Sequence, residues 1–204
     1  MDNSNIILKA RIRRKALSGV DEPSVVETNA GSGVVYRSCY SHLSRGVAFE
    51  TNKEKALGTA RERPGWAVYR SDNLMMRFGV GFHLRPNFFD VDPYGSCWPI
   101  LAAIASGCSS ISMTGPIRIV VTDGSFLKLK LTGGWRMSVF RDYIAEHGNE
   151  SLKSRDGYRQ ACHCLVARIF SGVGMEANIS SFAWSSFGVG AGSSCCYFCV
   201  EIDS

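Results

Sequence analysis

Five short runs rich in β-branched and aromatic residues recur along the chain, at 24–29 (SVVETN), 46–51 (GVAFET), 66–70 (WAVYR), 87–91 (NFFDV) and 117–121 (IRIVV). Their length and composition predict strands. Segments 34–44, 53–62, 98–107 and 138–147 separate or follow them and are expected to be helical. Short apolar strands alternating with helices imply a parallel sheet covered on both faces. The tail changes character. Residues 158–170 predict a helix with Leu165, Ile169 and Phe170 as its apolar stripe. Residues 176–186 and 195–202 predict two strands joined by a Gly/Ser-rich loop at 188–194, which suggests an antiparallel hairpin. The expected fold class is α/β, three-layered, mostly parallel, with a C-terminal antiparallel hairpin.

Composition narrows the class. The 204 residues suit one domain. Hydrophobic residues at 45% and charged residues at 20% exclude a disordered chain. No apolar run is long enough for a membrane span, and the charges follow the first apolar stretch, the wrong order for a secretory signal. A cytoplasmic protein without membrane association is expected. Eight cysteines stand at 39, 97, 108, 162, 164, 195, 196 and 199. Cys162-His163-Cys164 and Cys195-Cys196-x-x-Cys199 resemble metal ligands, but matched C-x-x-C pairs are missing. Both clusters lie in apolar segments, where thiols act as small hydrophobes. Reduced, buried thiols and no metal are expected.

The formal net charge is +5. Most of it sits before residue 20, in Lys9, Arg11, Arg13, Arg14 and Lys15 against Asp2. Residues 1–22 therefore read as a basic N-terminal arm and 23–204 as the domain. Such an arm tracks phosphates, each contact releasing a counterion; a solvated helix or frayed terminus is the alternative. Under the first reading Arg11, Arg13 and Arg14 bind substrate.

Chemistry-bearing residues gather at strand ends. Gly31 and Gly33 follow the first strand and permit positive φ and close backbone approach. Glu50 ends the second strand, at the spacing where an acid holds a ribose. Asp72 and Asn73 follow the third, where an adenine edge would lie. Each alone fits a helix cap; together, on one sheet edge, they suggest a nucleoside site. The fourth strand ends in Asp90-Val91-Asp92-Pro93-Tyr94-Gly95. A carboxylate and a rigid carbonyl can both accept hydrogen bonds from one amino group and aim its lone pair at an electrophilic methyl. The aromatic can stack on a flat base. A type I turn with Pro at its second position is the plain alternative.

The succession Glu27-x-Asn29-Ala30-Gly31-x-Gly33, Glu50, Asp72 and Asp92-Pro93-Tyr94-Gly95 resembles the Rossmann-like S-adenosylmethionine-dependent methyltransferases. Asp90 to Ser96 is most similar to the D-x-D-P-F/Y-G-S-P motif of the tRNA guanine-N2 dimethyltransferase family. Val121-Thr122-Asp123 and the helix from Cys162 to Ile169 also resemble that family. The fold-level likeness spans about residues 22–203, the closer one 88–99, 119–123 and 161–170. Cys97 replaces the family's proline, and its F-Y-N-P and N-R-D segments are missing, so cofactor and reaction carry over better than substrate.

The resemblance implies that Glu27, Asn29, Ala30, Gly31 and Gly33 surround the methionine part of S-adenosyl-L-methionine. Glu50 would hold the ribose, and Asp72 with Asn73 the adenine. Asp92 and the Pro93 carbonyl would hold the target amine, with Tyr94 against the base. Asp90 would face the cofactor or cap the next helix, and Asp123 would close the pocket or form a turn. The expected activity is methylation of an exocyclic amine in nucleic acid, first guanine N2 in RNA, then DNA amines. Protein or small-molecule amine methylation and a silent binding subunit are the alternatives. No phosphate loop, metalloprotease or triad pattern occurs, and G-x-G-x-x-G lacks its third glycine.

Overall fold

A computed structural model describes residues 6–113, 115–126, 129, 138–185 and 195–202. The Gly/Ser-rich connection expected at 188–194 lies outside the described residues. Seven strands form one sheet: β1 (Val25–Glu27), β2 (Gly46–Phe49), β3 (Trp66–Tyr69), β4 (Phe88–Val91), β5 (Ile117–Asp123), β6 (Ala177–Trp184) and β7 (Cys196–Ile202). Their order is β3-β2-β1-β4-β5-β7-β6. The first five run parallel, and β7 is antiparallel to both β5 and β6. The expected mostly parallel sheet with an antiparallel C-terminal pair is therefore present. Strand order reverses between β1 and β4, which opens a crevice at the carboxyl ends of those strands.

The helices include α1 (Ile6–Leu17), α2 (Lys53–Glu62), α3 (Trp98–Ser110), α4 (Arg141–His147) and α5 (Arg155–Ser171). Alternation along the strands makes two cores. Val26, Val47, Phe89 and Ile119 face α3 and α5, while Val25, Ala48, Phe88 and Val120 face the opposite layer. Each side chain of a strand points to the face opposite its neighbour's, so apolar runs can serve both layers. α2 starts at Asn52, whose side chain accepts from the Lys55 N–H at 3.0 Å, a normal N-cap.

Two elements differ from expectation. The segment expected to be helical over 34–44 winds as a π-type turn at Tyr36–Tyr40. The wide turn sends both tyrosines inward: Tyr36 meets Trp66 edge-on at 5.3 Å, and Tyr40 lies edge-on to Phe88 at 5.9 Å. The basic N-terminal arm is the second. From Ile6 to Leu17 it is a helix packed within the fold against β5, β7 and the π-type turn. Ala10, Arg13 and Leu17, spaced three and four apart on one helical face, are buried. Ala10 and Leu17 belong to the second core. This helix therefore supplies part of a layer, and α1 is no detached arm.

Candidate active site at the carboxyl edge of the sheet

A cleft of about 520 Å³ opens where the strand order reverses. From the segment after β1 it takes Thr28, Asn29 and Gly31, and from the end of β2 it takes Phe49 and Glu50. Asp72 and Asn73 reach it after β3, and Asp92, Pro93 and Tyr94 after β4. Residues chosen from four separate strand ends thus share one wall.

Local bonds fix this edge. Gly31 and Gly33 both have positive φ, 56° and 75°. A Cβ on Gly33 would meet only the tips of the Glu62 and Arg37 side chains, at 2.7 and 3.0 Å, so it is the positive φ that calls for glycine there. Glu50 accepts from the Gly31 N–H at 3.0 Å and from the Asn52 N–H at 2.9 Å. The acid expected at a ribose is thereby held rigidly against the glycine turn. Asp72 accepts from the Leu74 N–H at 2.8 Å and caps a 3-10 segment, Asn73–Phe78. Asn73 donates to the Thr28 carbonyl at 3.0 Å, tying the third strand end to the first. Tyr94 is 77% exposed and projects from the rim.

Behind the cleft lies a charged layer. Asp90 is buried and accepts from Arg13 Nε and Nη2, both at 2.7 Å, and from the Tyr40 hydroxyl at 2.8 Å. Its carboxylate therefore faces α1 and the π-type turn, with Phe88, and neither caps α3 nor lines the main cleft. Glu27 is also buried and pairs with the Arg63 guanidinium. Arg63 stacks on Tyr36, 4.0 Å from the ring centroid. Burial pushes the Glu27 carboxyl up, against the pull of Arg63. Glu27, Ala30 and Asp90 line a small recess beside the cleft, with Asn29 and Asp92 shared between the two spaces.

The structure separates the three arginines expected at substrate. Arg11 and Arg14 are exposed, and Arg14 donates to the Ser38 carbonyl at 2.6 Å. Arg13 is 0% exposed and committed to Asp90, so it cannot reach a substrate. A charge so deep is stable only when paired, and the bidentate carboxylate supplies the pair. Sequence reasoning also missed Lys9, whose ammonium sits on Asp92, and Arg63 beneath the glycine turn. Nothing local in the sequence marks Arg13 or Arg63, because each is buried against a partner on another element.

No family model and no curated protein matches the chain. Solved structures do. Trm1 from Pyrococcus horikoshii, with S-adenosyl-L-methionine, gives a TM-score of 0.61 at 10% identity, over 95% of this chain and 53% of that one. The fold is the Rossmann-like methyltransferase fold. N-methyltransferase NodS from Bradyrhizobium japonicum gives 0.58 at 10% identity, over 100% of this chain and 99% of that one. TYW2 from P. horikoshii, in complex with MeSAdo, gives 0.53 at 12% identity, over 95% and 62%. The chain thus spans about half the length of the Trm1 structure. Among the described residues no helix is long and apolar enough to cross a membrane.

Proposed function

We propose that this methyltransferase-fold chain is an S-adenosyl-L-methionine-dependent N-methyltransferase acting on an exocyclic amine of a nucleic-acid base, with guanine N2 in RNA as its first substrate. The observation that carries the reading is the convergence of Gly31, Glu50, Asp72, Asn73 and Asp92 on one cleft of about 520 Å³. That volume is within the ordinary range for small-molecule sites. The residues fit the cofactor's chemistry. Positive-φ glycines allow close backbone approach, Glu50 offers carboxylate acceptors, and Asp72 and Asn73 offer an edge for a base. Bound there, S-adenosyl-L-methionine would supply an electrophilic methyl, its C–S bond breaking as the amine's N–C bond forms, with the amine's proton leaving to water.

The chain's part is positioning. Asp92 and the Pro93 carbonyl accept the amine's hydrogens and fix its lone pair, and Tyr94 offers a face to a flat base. Lys9 keeps Asp92 an anion, 2.9 Å from each oxygen, so it acts as an acceptor and not as an acid. The second reading is a smaller amine acceptor. It is favoured by Arg13 and Lys9 being committed inside the fold, which leaves Arg11 and Arg14 as the exposed guanidinium groups of α1.

The test is incubation with labelled cofactor and separate pools of tRNA, rRNA, duplex DNA, protein and small amines. Label in RNA is expected, and Asp92→Ala should abolish it while cofactor binding survives. Label confined to protein or small amines sinks the nucleic-acid reading. Cofactor binding with no labelled pool supports a silent binding subunit.

A further inference from the structure

The carboxyl edge of the sheet continues past the cleft. Asp123 of β5 and Trp184 of β6 both pair with Cys196 of β7, so β6 ends level with β5. In the order β4-β5-β7-β6, Trp184 stands three strand spacings, about 14 Å, from the strand that leads into Asp92 and Tyr94. α5 packs along β6. Phe182 and Trp184, two apart on β6, share a face and are half-buried. Arg155 and Arg159, four apart, share a face of α5. The Arg155 guanidinium lies 5.3 Å from the Trp184 ring centroid, and that of Arg159 lies 5.7 Å from the Phe182 centroid. Both arginines are exposed, and among the described residues neither forms an ion pair. The guanidinium groups of Arg13, Arg63, Arg118 and Arg168, by contrast, are spent on carboxylates.

We infer that this pair of ring-stacked arginines holds a single RNA strand when one of its bases enters the cleft. The inference rests on the reading of that cleft as a nucleic-acid methyltransferase site, and it names how the chain grips the rest of the substrate. A guanidinium stacked on a ring is oriented without a carboxylate, so its in-plane N–H groups stay free for phosphate oxygens. A salt-bridged arginine has already committed them. Residues one helical turn apart have Cβ atoms about 5–6 Å from each other, and a strand carries a charge about every 3.4 Å of its axis, so both arginines can meet one strand. The separation from Asp92 is covered by a few nucleotides at that rise. Asp156 is the nearest acid in sequence, but as the immediate neighbour of Arg155 it does not share its face of the helix. α1 gives up Arg13 to Asp90; α5, packed on the other face of the sheet, supplies a separate set of cations.

The test is binding of a single-stranded RNA oligonucleotide, read by fluorescence anisotropy over a salt series and needing no methyl transfer. Arg155→Gln with Arg159→Gln should flatten the slope of log affinity against log salt by about 1.4, which is roughly 25-fold weaker binding near about 0.1 M salt. Both side chains are exposed, so the variant should fold, and its thermal midpoint checks this. Arg45→Gln with Arg61→Gln is the control. It removes the same charge just before β2 and in the last turn of α2, at the opposite edge of the sheet, and should leave the slope in place. An unchanged slope in the Arg155/Arg159 variant, an equal drop in the control, polyglutamate held as tightly as RNA, or no RNA binding by the unmutated chain would each overturn the surface. RNA that is methylated while its slope ignores Arg155 and Arg159 would remove the surface and keep the methylation reading. RNA held through these arginines but never methylated would do the reverse.

Discussion

The Lys9 ammonium donates to both carboxylate oxygens of Asp92, at 2.9 Å each. A residue on the first helix thereby sets the charge of the residue proposed to orient the acceptor amine. Burial alone would lift the Asp92 pKa; Arg13, 3.7 Å away, and Lys9 outweigh burial and hold it below its ordinary value. A carboxylate depressed in the folded state adds stability above its unfolded pKa, about 3.9, and loses it as pH falls through the folded value.

Replacing Lys9 with Met should raise the Asp92 pKa. The acid limb of the stability profile then moves to higher pH, and at neutral pH the loss is on the order of 1 kcal/mol for this partly buried pair. Denaturation midpoints of the two proteins from about pH 3 to 7 check this. Superimposable profiles would show that Lys9 does not govern Asp92.

Arg13→Met should be far more damaging. It leaves Asp90 buried with, among the described residues, the Tyr40 hydroxyl as its remaining side-chain partner. Removing one member of a buried pair costs about 3–5 kcal/mol. Replacing Asp90 with Leu in the same chain removes the orphaned charge, so the double variant should recover part of the loss. Urea midpoints for the two singles and the double give the coupling directly; strict additivity would deny the pair its role.

The exposed arginines make a cleaner test of nucleic-acid contact than the full set. Arg11→Ala with Arg14→Ala leaves the buried Arg13–Asp90 pair untouched. If this helix meets phosphates, the slope of log affinity against log salt should flatten by about 1 to 2 for RNA. An unchanged slope would favour the smaller acceptor.

The strands were legible because their apolar runs end at Gly, Pro, Asp or Asn, and because buried strands of a parallel sheet need no polar alternation. The helix Lys53–Glu62 falls on its expected boundaries, with Asn52 as its capping signal. The cleft was legible at Gly31, Glu50, Asp72 and Asp92, since each closes a strand and strand ends share an edge. Arg13 was not. A cation in a basic run reads as solvated, and its burial depends on Asp90, 77 residues away. The same holds for Glu27 and Arg63, 36 residues apart. Charges that pair across elements leave no local period to read.

Gly33 joins backbone strain to the site. Its φ of 75° disfavours any side chain, at roughly 1–2 kcal/mol, and a Cβ there would strike Glu62 Oε2 at 2.7 Å. Glu62 Oε2 is the tip of a flexible side chain paired with an exposed Arg37, so that contact relaxes cheaply and the backbone strain carries the effect. Gly33→Ala should therefore push the turn away from Glu50 as well as destabilise the fold. Expected are a lower unfolding midpoint and cofactor affinity reduced by about tenfold or more, equivalent to about 1.4 kcal/mol. Gly58→Ala on α2, outside the cleft, is the control: nothing lies within 4 Å of its Cβ, and the midpoint should not fall. Calorimetric titration of the cofactor with both variants separates the outcomes. Equal affinity in Gly33→Ala and the unmutated chain would remove the glycine turn from the cofactor site.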